Sequence, residues 1–342
     1  MINVGIVGAT GYAGVELIRL LLGHPAVAIT RLTSRAEAGS RVDRLFPHLK
    51  GFIDLSFEDP AQVDFNDCDV VFFATPHAVA MNSVPALIAR GKRVIDLSAD
   101  FRLTDTRVWE SWYGVNHVAP ELVTAAVYGL PEVNREAIRQ AQLVACPGCY
   151  PTAVQLGFLP LLEAGLVDAG SLVASCASGT SGAGRSAKVN LLLTESAETM
   201  KSYGVSGHRH LPEMEQGLAR MTEDPVSLTF VPHLAPMVRG IHATLIATLT
   251  DQSANLRAVF KDRYACEPFI TLTEGAYEPE TRHVKGTNRC EIDVTRPPGD
   301  KVVVTVAIDN LVKGAAGQAI QAMNLMLSLD ESTGLNMPSS HP

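Results

Sequence analysis

The first 150 residues alternate short, continuous apolar runs with segments whose apolar positions recur every three or four residues. NVGIVG (3–8) and CDVVFFATP (68–76) are typical of strands buried on both faces. YAGVELIRLLLGHP (12–25) predicts a helix that Gly23 and Pro25 end. The other elements predicted here are the strand VAITRLTS (27–34), the helix HAVAMNSVPALIARG (77–91) and the strand KRVIDLS (92–98). This alternation predicts a doubly wound, Rossmann-type parallel sheet.

After about residue 150 the pattern changes. MVRGIHATLIATLT (237–250) and DKVVVTVAIDN (300–310) are long and alternating, as antiparallel strands are. They predict a second, α+β domain with a mixed sheet. GAAGQAIQAMNLML (314–327) again has helical periodicity. Residues from about 330 onward are expected to form a loose tail, or one held by contacts that the sequence does not reveal.

Composition narrows the classes of function. The 342 residues contain 28 Lys and Arg against 36 Asp and Glu, a net charge of −8, with no long basic cluster. Nucleic acid and anionic membranes are therefore poor partners. No apolar stretch approaches the roughly 20 residues of a membrane span, and the N-terminus has no signal-peptide pattern. Six cysteines are too sparse for a disulfide scaffold, so we expect a cytoplasmic protein that acts on a small molecule.

A glycine-rich loop follows the first predicted strand. In GATGYAG the glycines lie three residues apart, between a strand and a helix, where backbone N–H groups can face a pyrophosphate. At the end of the second strand, Ser34 and Arg35 stand where NAD enzymes usually carry a carboxylate, which favours the 2′-phosphate of NADP(H). The residues predicted to bind the cofactor in this region are Gly8, Thr10, Gly11, Tyr12, Ala13, Gly14, Ser34 and Arg35.

The stretch VACPGCYPTAVQL contains two cysteines with CxxC spacing. A zinc site would need a second pair, and none exists, so no metal is expected. A thioredoxin-like disulfide does not suit a position behind a dinucleotide-binding pattern. A single nucleophile remains, and Cys149 is the better candidate because it lies beside the N-terminus of a predicted helix. Cys146 is expected to be a small buried residue at the end of a strand.

Other polar residues are candidates for acid/base work and anion binding. GHRHLPE supplies His208 and His210, either of which could exchange a proton with a thiolate, and the nearby Glu213. In SGTSGAGRSAK, Ser181 and Arg185 belong to a small-residue loop able to bind an anion. Arg102 follows a parallel strand at the edge where such sheets bind ligands. It could clamp a phosphate or carboxylate, or pair with Asp96 or Asp100.

Motifs spread over residues 4–327 resemble the N-acetyl-γ-glutamyl-phosphate reductase family of arginine biosynthesis, which is related to aspartate-semialdehyde dehydrogenase. The matching pieces are GATGYAG, LSADFR, YGLPE, PGCYPT, SGTSGAGR, GHRHLPE, VPHLAPMVRGI and DNLVKGAAGQAIQAMN. The resemblance implies an NADPH-dependent reductase that forms a thioester on Cys149, with His208 as acid/base. It also implies that Gly182 and Asn310 lie near the nicotinamide, and that the chain assembles as a homodimer or homotetramer.

The resemblance also implies a domain arrangement. Residues 1–148 would form the NADP-binding domain, completed by a C-terminal helix at 310–330, and residues 149–309 the inserted catalytic and oligomerisation domain. Two other functions stay open at this point. One is a related acyl-phosphate reductase for an aspartyl or carrier-linked aminoadipyl substrate, and the other is a non-catalytic NADP-binding sensor.

Overall fold

The computed structural model describes residues 1–340 and contains two β-sheets flanked by helices. The strands are β1 (Ile2–Val7), β2 (Val27–Thr33), β3 (Val70–Phe73), β4 (Arg93–Asp96), β5 (Val127–Tyr128), β6 (Leu143–Ala145), β7 (Leu172–Ser178), β8 (Lys201–Ser202), β9 (Leu228–Leu234), β10 (Ile241–Thr248), β11 (Ile270–Leu272), β12 (Cys290–Thr295) and β13 (Lys301–Ile308). The α-helices are α1 (Tyr12–Leu22), α2 (Val42–Leu45), α3 (Ala80–Ala89), α4 (Thr106–Tyr113), α5 (Pro120–Ala125), α6 (Pro131–Gln140), α7 (Cys149–Glu163), α8 (Leu193–Ser196), α9 (Leu211–Leu218), α10 (Leu256–Tyr264), α11 (Thr281–Val284) and α12 (Gly317–Met326).

The chain divides into two compact units. The first comprises residues 1–147 and 315–336, and its sheet has the all-parallel order β2-β1-β3-β4-β6-β5. The four residues of β3 are completely buried, as the continuous apolar run predicts for a sheet covered on both faces. Helix α1 begins at Tyr12 and stops before Gly23, and its Leu17, Leu20 and Leu21 are buried. The Rossmann-type fold of this unit is confirmed.

Helix α12 closes the first unit and is shorter than the predicted span of 310–330. It covers Gly317–Met326, and a π-helical turn, Val312–Ala316, precedes it. All ten of its residues are buried, because the helix packs against α1, α6 and β4 rather than presenting one apolar stripe. The helical periodicity of the sequence therefore does not reveal how deeply this helix is buried.

The segment after α12 is held in place over residues 327–336. The Glu331 carboxylate pairs with Arg135 at 3.1 Å, and the Asn324 amide donates to the carbonyls of Glu331 and Thr333. Leu335 is only 2% exposed. Of the two alternatives expected from the sequence, these residues follow the second, a tail held by contacts that the sequence does not reveal. The contacts come from α12 just before the segment and from α6, which is distant in sequence.

The second unit comprises Gly148–Gly314 together with residues 337–340 of the described chain. Its sheet has the order β11-β12-β13-β10-β7-β9-β8, with parallel β7–β9 and β11–β12 pairs among antiparallel neighbours. The predicted long strands are β10 and β13, which pair antiparallel along their full length. Helix α7 lies on this sheet and also contacts α9 and α10, which explains why Tyr150 through Leu162 are all buried. The mixed-sheet α+β unit is confirmed.

No helix in the described part of the chain is both long enough and apolar enough to cross a lipid bilayer.

Candidate active site

Cys149 is the first residue of α7, the fifteen-residue helix at the centre of the second unit. Gly148 precedes it as the N-cap with extended backbone angles, and no side chain caps the helix there. Cys149 itself is half-buried. Because the N–H groups of the first turn point toward this end and the helix dipole creates positive potential there, the position favours a thiolate.

The other cysteines lie in settings that do not favour a thiolate. Cys146 and Cys176 are completely buried, and burial raises the pKa of each thiol far above its ordinary value. Burial also raises the pKa of Cys68, to about 11. Cys266 is exposed but follows the C-terminal end of α10, where the helix dipole is unfavourable to an anion. Within residues 1–340 none of the six cysteines forms a disulfide.

Glu213 joins the histidine-bearing segment to the nucleophile helix. Its Oε1 accepts a hydrogen bond of 2.8 Å from the Gly148 N–H, and the residue is 2% exposed. Glu213 lies in the first turn of α9, so the helix dipole also stabilises its charge. A buried carboxylate that accepts from the residue before Cys149 holds the starts of α7 and α9 together.

His208 lies in an aromatic cage in front of α9. The rings of Tyr150, Tyr203 and Phe230 are centred 5.4 to 5.7 Å from its imidazole. Its Nδ1 accepts a 3.1 Å hydrogen bond from the His210 N–H, so in the neutral form the proton is on Nε2. Burial in this cage, with a smaller effect of Arg209, lowers the pKa of His208 to about 4. Near pH 7 the residue is therefore neutral, with one donor and one acceptor nitrogen.

Two tyrosine hydroxyls meet beside this cage. Tyr150 Oη lies 2.9 Å from Tyr203 Oη and also donates to the carbonyl of His233. Burial raises the pKa of Tyr203 to about 12 and that of Tyr150 still further, and the negative charge of the nearby Cys149 thiolate acts in the same direction. Both phenols are therefore protonated hydrogen-bonding groups at neutral pH.

The loop after β7 is fixed by an amide from the end of β13. Asn310 Nδ2 donates to Ser181 Oγ at 3.0 Å, while its Oδ1 accepts from the Gly240 N–H at 2.8 Å. Gly182 is exposed beside them, and a Cβ placed there would lie 3.0 Å from Ser178 Oγ. The structure thus brings Ser181, Gly182 and Asn310 together.

In the first unit, side chains at two positions of the glycine loop would clash with neighbouring backbone. Gly8 has φ +82°, and a Cβ added there would lie 2.6 Å from the Ala74 carbonyl oxygen. A Cβ at Gly14 would lie 2.6 Å from the Gly8 carbonyl oxygen, whereas a Cβ at Gly11, the N-cap of α1, would meet the same oxygen at an ordinary 3.7 Å. Glycine at these positions lets the loop turn and leaves the start of α1 accessible, so this backbone fits a dinucleotide pyrophosphate.

The end of β2 lies directly beside this loop. The N–H groups of Gly8 and Ala9 both donate to the Thr33 carbonyl, and Thr10 Oγ1 lies 3.1 Å from Ser34 Oγ. Arg35 follows with an exposed guanidinium that has no ion-pair partner among residues 1–340. Hydroxyls and a guanidinium next to the pyrophosphate loop fit a ribose 2′-phosphate.

Comparisons with known proteins agree across the whole chain. The model of the semialdehyde dehydrogenase NAD binding domain matches residues 3–141, and that of the semialdehyde dehydrogenase dimerisation domain matches residues 149–310. An N-acetyl-gamma-glutamyl-phosphate reductase from Nitrosomonas europaea is 59% identical over 98% of both chains. One from Cellvibrio japonicus is 58% identical over 100% of both. The chain belongs to the N-acetyl-gamma-glutamyl-phosphate reductase family.

Solved structures of similar fold come from a sister family. Aspartate semialdehyde dehydrogenase II from Vibrio cholerae, complexed with ASA, has a TM-score of 0.75 at 19% identity, covering 96% of this chain and 98% of that one. Aspartate semialdehyde dehydrogenase with NADP from Candida albicans has a TM-score of 0.71 at 17% identity, covering 96% and 99%. At such identities these likenesses show only that this chain has the same fold.

Two arginines chosen from the sequence lie in different settings. Arg102 is buried in the first unit, where its Nε donates to the Cys146 carbonyl at 2.7 Å and its Nη2 donates to the Leu97 carbonyl at 2.8 Å. These hydrogen bonds link the chain just after β4 to the chain just after β6. They occupy part of the guanidinium with backbone carbonyls. Arg185 is exposed after Gly184 in the second unit.

Sequence reasoning missed residues that shape this reductase site. A Cβ at Gly314 would lie 2.7 Å from the Cys149 Cβ, so only glycine lets the backbone pass there. Asp309, fully buried, organises that turn by accepting from the N–H groups of Leu311 and Gly286. Tyr203 was also missed. Gly314 lies in the DNLVKGAAGQ motif, but no spacing rule points from it to a cysteine 165 positions earlier.

The described residues contain no group of three or more His, Cys, Asp and Glu side chains arranged to hold a metal ion.

Proposed function

We propose that this protein catalyses the NADPH-dependent reductive dephosphorylation of N-acetyl-L-glutamyl 5-phosphate to N-acetyl-L-glutamate 5-semialdehyde, a step of arginine biosynthesis. The observation that carries the proposal is near-full-length identity of 58–59% to reductases of this name. That identity coincides with a cysteine at the start of a buried helix and a neutral histidine in the same unit. This specific relationship favours the N-acetylglutamyl substrate over an aspartyl or aminoadipyl one.

Catalysis begins with Cys149. Its thiolate attacks the acyl-phosphate carbonyl, a C–S bond forms, and inorganic phosphate leaves with the electron pair of the broken C–O bond. Glu213 already accepts the Gly148 N–H, so we assign stabilisation of the oxyanion to the N–H groups that follow in the first turn of α7. The product of this step is a thioester on Cys149.

Bound NADPH supplies the hydride that reduces the thioester carbon. His208, with its proton on Nε2, donates a hydrogen bond to the developing oxyanion and keeps that proton as the tetrahedral anion collapses. The collapse breaks the C–S bond, releases the aldehyde and returns Cys149 to the thiolate. The low pKa of His208 keeps the imidazole neutral near pH 7, so its Nε2–H is available as a hydrogen-bond donor throughout the reaction.

We assign cofactor binding to residues that the sequence predicts for this role. Gly8, Gly11 and Gly14, with Thr10, Tyr12 and Ala13, would hold the pyrophosphate, and Ser34 and Arg35 the 2′-phosphate. Gly182 and Asn310 would face the nicotinamide. The NADP-binding domain would comprise residues 1–148 with the C-terminal helix, and residues 149–309 would form the catalytic domain. Ser181, Arg102, Arg185 and His210 remain the candidates for contacts with the substrate and its phosphate.

Assembly and location complete the proposal. The second unit matches a dimerisation domain, which supports a homodimer or homotetramer. The cysteines, present as thiols, suit a reducing compartment such as the cytoplasm.

The decisive assay runs in reverse, because the aldehyde is easier to handle than the acyl phosphate. Phosphate-dependent reduction of NADP by N-acetylglutamate 5-semialdehyde is compared with the same reaction of aspartate semialdehyde. We expect kcat/KM to favour the N-acetylglutamyl aldehyde strongly. A preference for aspartate semialdehyde would refute the substrate, and NADP binding without any turnover would indicate a sensor.

A further inference from the structure

A cleft in the first unit lies at the edge of the sheet opposite the glycine loop. The glycine loop follows the C-terminal end of β1, whereas this cleft lies where β3, β4 and β6 begin. Its lining comes from the residues just before β3, from the segment between α3 and β4, and from the segment between α6 and β6. Its volume is about 520 Å³, which is within the range of sites that bind small molecules. The cleft therefore shares no residue with the predicted cofactor site.

The cleft concentrates positive charge in a chain whose net charge is −8. Among the described residues that line it, one is acidic, Asp69, and its carboxylate already accepts a backbone N–H at 2.8 Å. The cationic residues of the lining are Arg90, Lys92, Arg93 and Arg139. Cationic side chains around a concave surface focus a positive potential there, and that potential attracts anions. The cleft is therefore suited to a negatively charged ligand.

Hydrogen bonds to the backbone fix two of these cations without neutralising them. Lys92 Nζ donates to the carbonyls of Asn66 and Cys68 at 2.7 and 2.9 Å, which leaves one of its three N–H donors. Arg90 donates through Nε and Nη1 to two backbone carbonyls, each at 3.0 Å. Neither side chain forms an ion pair among residues 1–340. The positive charges of both side chains therefore remain available to an anion.

The other two cations are exposed arginines. Arg93 has no hydrogen-bond or ion-pair partner among residues 1–340. Arg139 pairs with Glu136 at 3.3 Å, but the Glu136 side chain is 83% exposed, and an ion pair so open to water contributes little. Because a guanidinium can donate two parallel N–H bonds to a phosphate, these arginines can supply the directional donors of an anion site.

Helix ends account for only part of this cluster. Arg90 directly follows α3 and Arg139 lies in the last turn of α6, where a cation stabilises the negative end of the helix dipole. Lys92 instead donates to the loop before β3, and Arg93 is the first residue of β4. Stabilisation of helix ends therefore does not explain why all four cations surround one cleft.

We propose that this cleft binds a triphosphate group, either of a nucleoside triphosphate or of free inorganic triphosphate. Four cations match a ligand with several negative charges, whereas a single phosphate would engage only part of the set. Within the described chain no large apolar side chain lines the cleft, which suits phosphate oxygens better than an apolar ligand. The inference is independent of the proposed reaction, because it uses none of the residues assigned to that reaction.

The test measures the binding of inorganic triphosphate and of ATP by calorimetry. The full chain is first loaded with one equivalent of NADP, so that the glycine loop is occupied and the probes report on the cleft. Arg93→Glu and Arg139→Glu are the main variants, because both side chains are exposed and their replacement should leave the packing unchanged. Arg220→Glu is the matched control, since it makes the same change at an exposed arginine of the second unit. Thermal unfolding confirms that each variant folds.

We expect one probe molecule to bind per chain in wild type and in Arg220→Glu, with an affinity that falls as salt is added. Each cleft variant should bind the probe roughly tenfold or more weakly, because the reversed charge repels the anion. Neither variant should change NADPH affinity, since the glycine loop lies at the other end of the strands. Wild type that binds neither probe would overturn the proposal. Equal weakening in Arg220→Glu would also overturn it, because that result would show a response to net charge alone.

Comparison of the two probes identifies the source of the triphosphate group. Tighter binding of ATP, with the same loss in both cleft variants, would support a nucleotide ligand. Tighter binding of the inorganic probe, with that loss, would support free triphosphate. These measurements need no turnover, so an inactive enzyme would refute the proposed reaction and leave the binding result unaffected.

Discussion

At the scale of single residues, the site depends on how the surrounding protein gives chemically identical side chains different burial and reactivity. Cys146 and Cys149 are three positions apart, yet one is enclosed at the end of β6 and the other begins α7. The sequence predicted this difference between the two cysteines, because the proline and glycine between them separate a strand from a helix. It did not predict Tyr203 or Gly314, whose importance comes from contacts between segments far apart in the chain.

The protonation of His208 gives a prediction at this scale. Burial lowers its pKa to about 4, so its imidazole should stay neutral down to about that pH, whereas an unfolded histidine protonates near 6.5. Lowering the pH from 6.5 toward 4 should therefore also favour the unfolded chain. NMR titration of the imidazole checks this, with His208→Asn assigning the resonance. A midpoint near 6.5 would contradict the caged, neutral histidine.

Cofactor choice is also decided by one side chain. Arg35→Asp should weaken NADPH binding roughly tenfold or more and affect NADH far less, because only NADPH carries the 2′-phosphate. Arg93→Asp is the control, since Arg93 is an exposed arginine at the opposite end of the same sheet. Fluorescence titration measures both cofactors. An unchanged ratio of affinities in Arg35→Asp would mean that the 2′-phosphate is held elsewhere.

At the scale of elements, the alternating strands and helices and the start of α7 could be predicted because glycine and proline mark their ends. The order of strands in the second sheet could not, since the parallel β7–β9 pair brings together segments separated by about fifty residues. The hydrogen bond from the Gly148 N–H to Glu213 also joins segments far apart in the chain, so the sequence pattern does not predict it. Local patterns predict elements, whereas the geometry of the site depends on which elements become neighbours.

The turn before α12 gives a prediction at this scale. Gly314→Ala places a methyl group 2.7 Å from the Cys149 Cβ, so the nucleophile or the turn must shift. We expect kcat to fall roughly 10- to 100-fold, as small displacements of reacting groups do. Gly23→Ala is the control, because its added methyl meets only the Leu20 carbonyl at an ordinary 3.6 Å. A Gly314→Ala enzyme with wild-type kcat would show that the close approach is unimportant.

At the scale of the whole molecule, the chain returns to its first unit after completing the second. Helix α12 and the segment that follows it pack on elements formed some 200 residues earlier. The helix could be predicted from its periodicity, but the fixed tail could not, because Leu335 stands in a polar stretch that resembles a linker. Stability of the first unit therefore depends on the end of the chain.

Leu335→Ala tests that dependence. Removing a fully buried leucine side chain should cost about 2–5 kcal/mol of the free energy of unfolding. Val133→Ala, at a partly exposed position in α6, should cost much less. Urea unfolding followed by fluorescence gives both values. Equal, small effects of the two substitutions would mean that the tail adds nothing to the fold.

The central claim is that Cys149 carries the acyl group. Enzyme mixed with NADP and N-acetylglutamate 5-semialdehyde, without phosphate, should accumulate the thioester, and acid quenching followed by peptide mass spectrometry should find the N-acetylglutamyl group on Cys149. Cys146→Ser should give the same adduct and keep most activity, whereas Cys149→Ser should bind NADPH but lose the adduct and turnover. An adduct on another residue, or turnover that survives Cys149→Ser, would contradict the account.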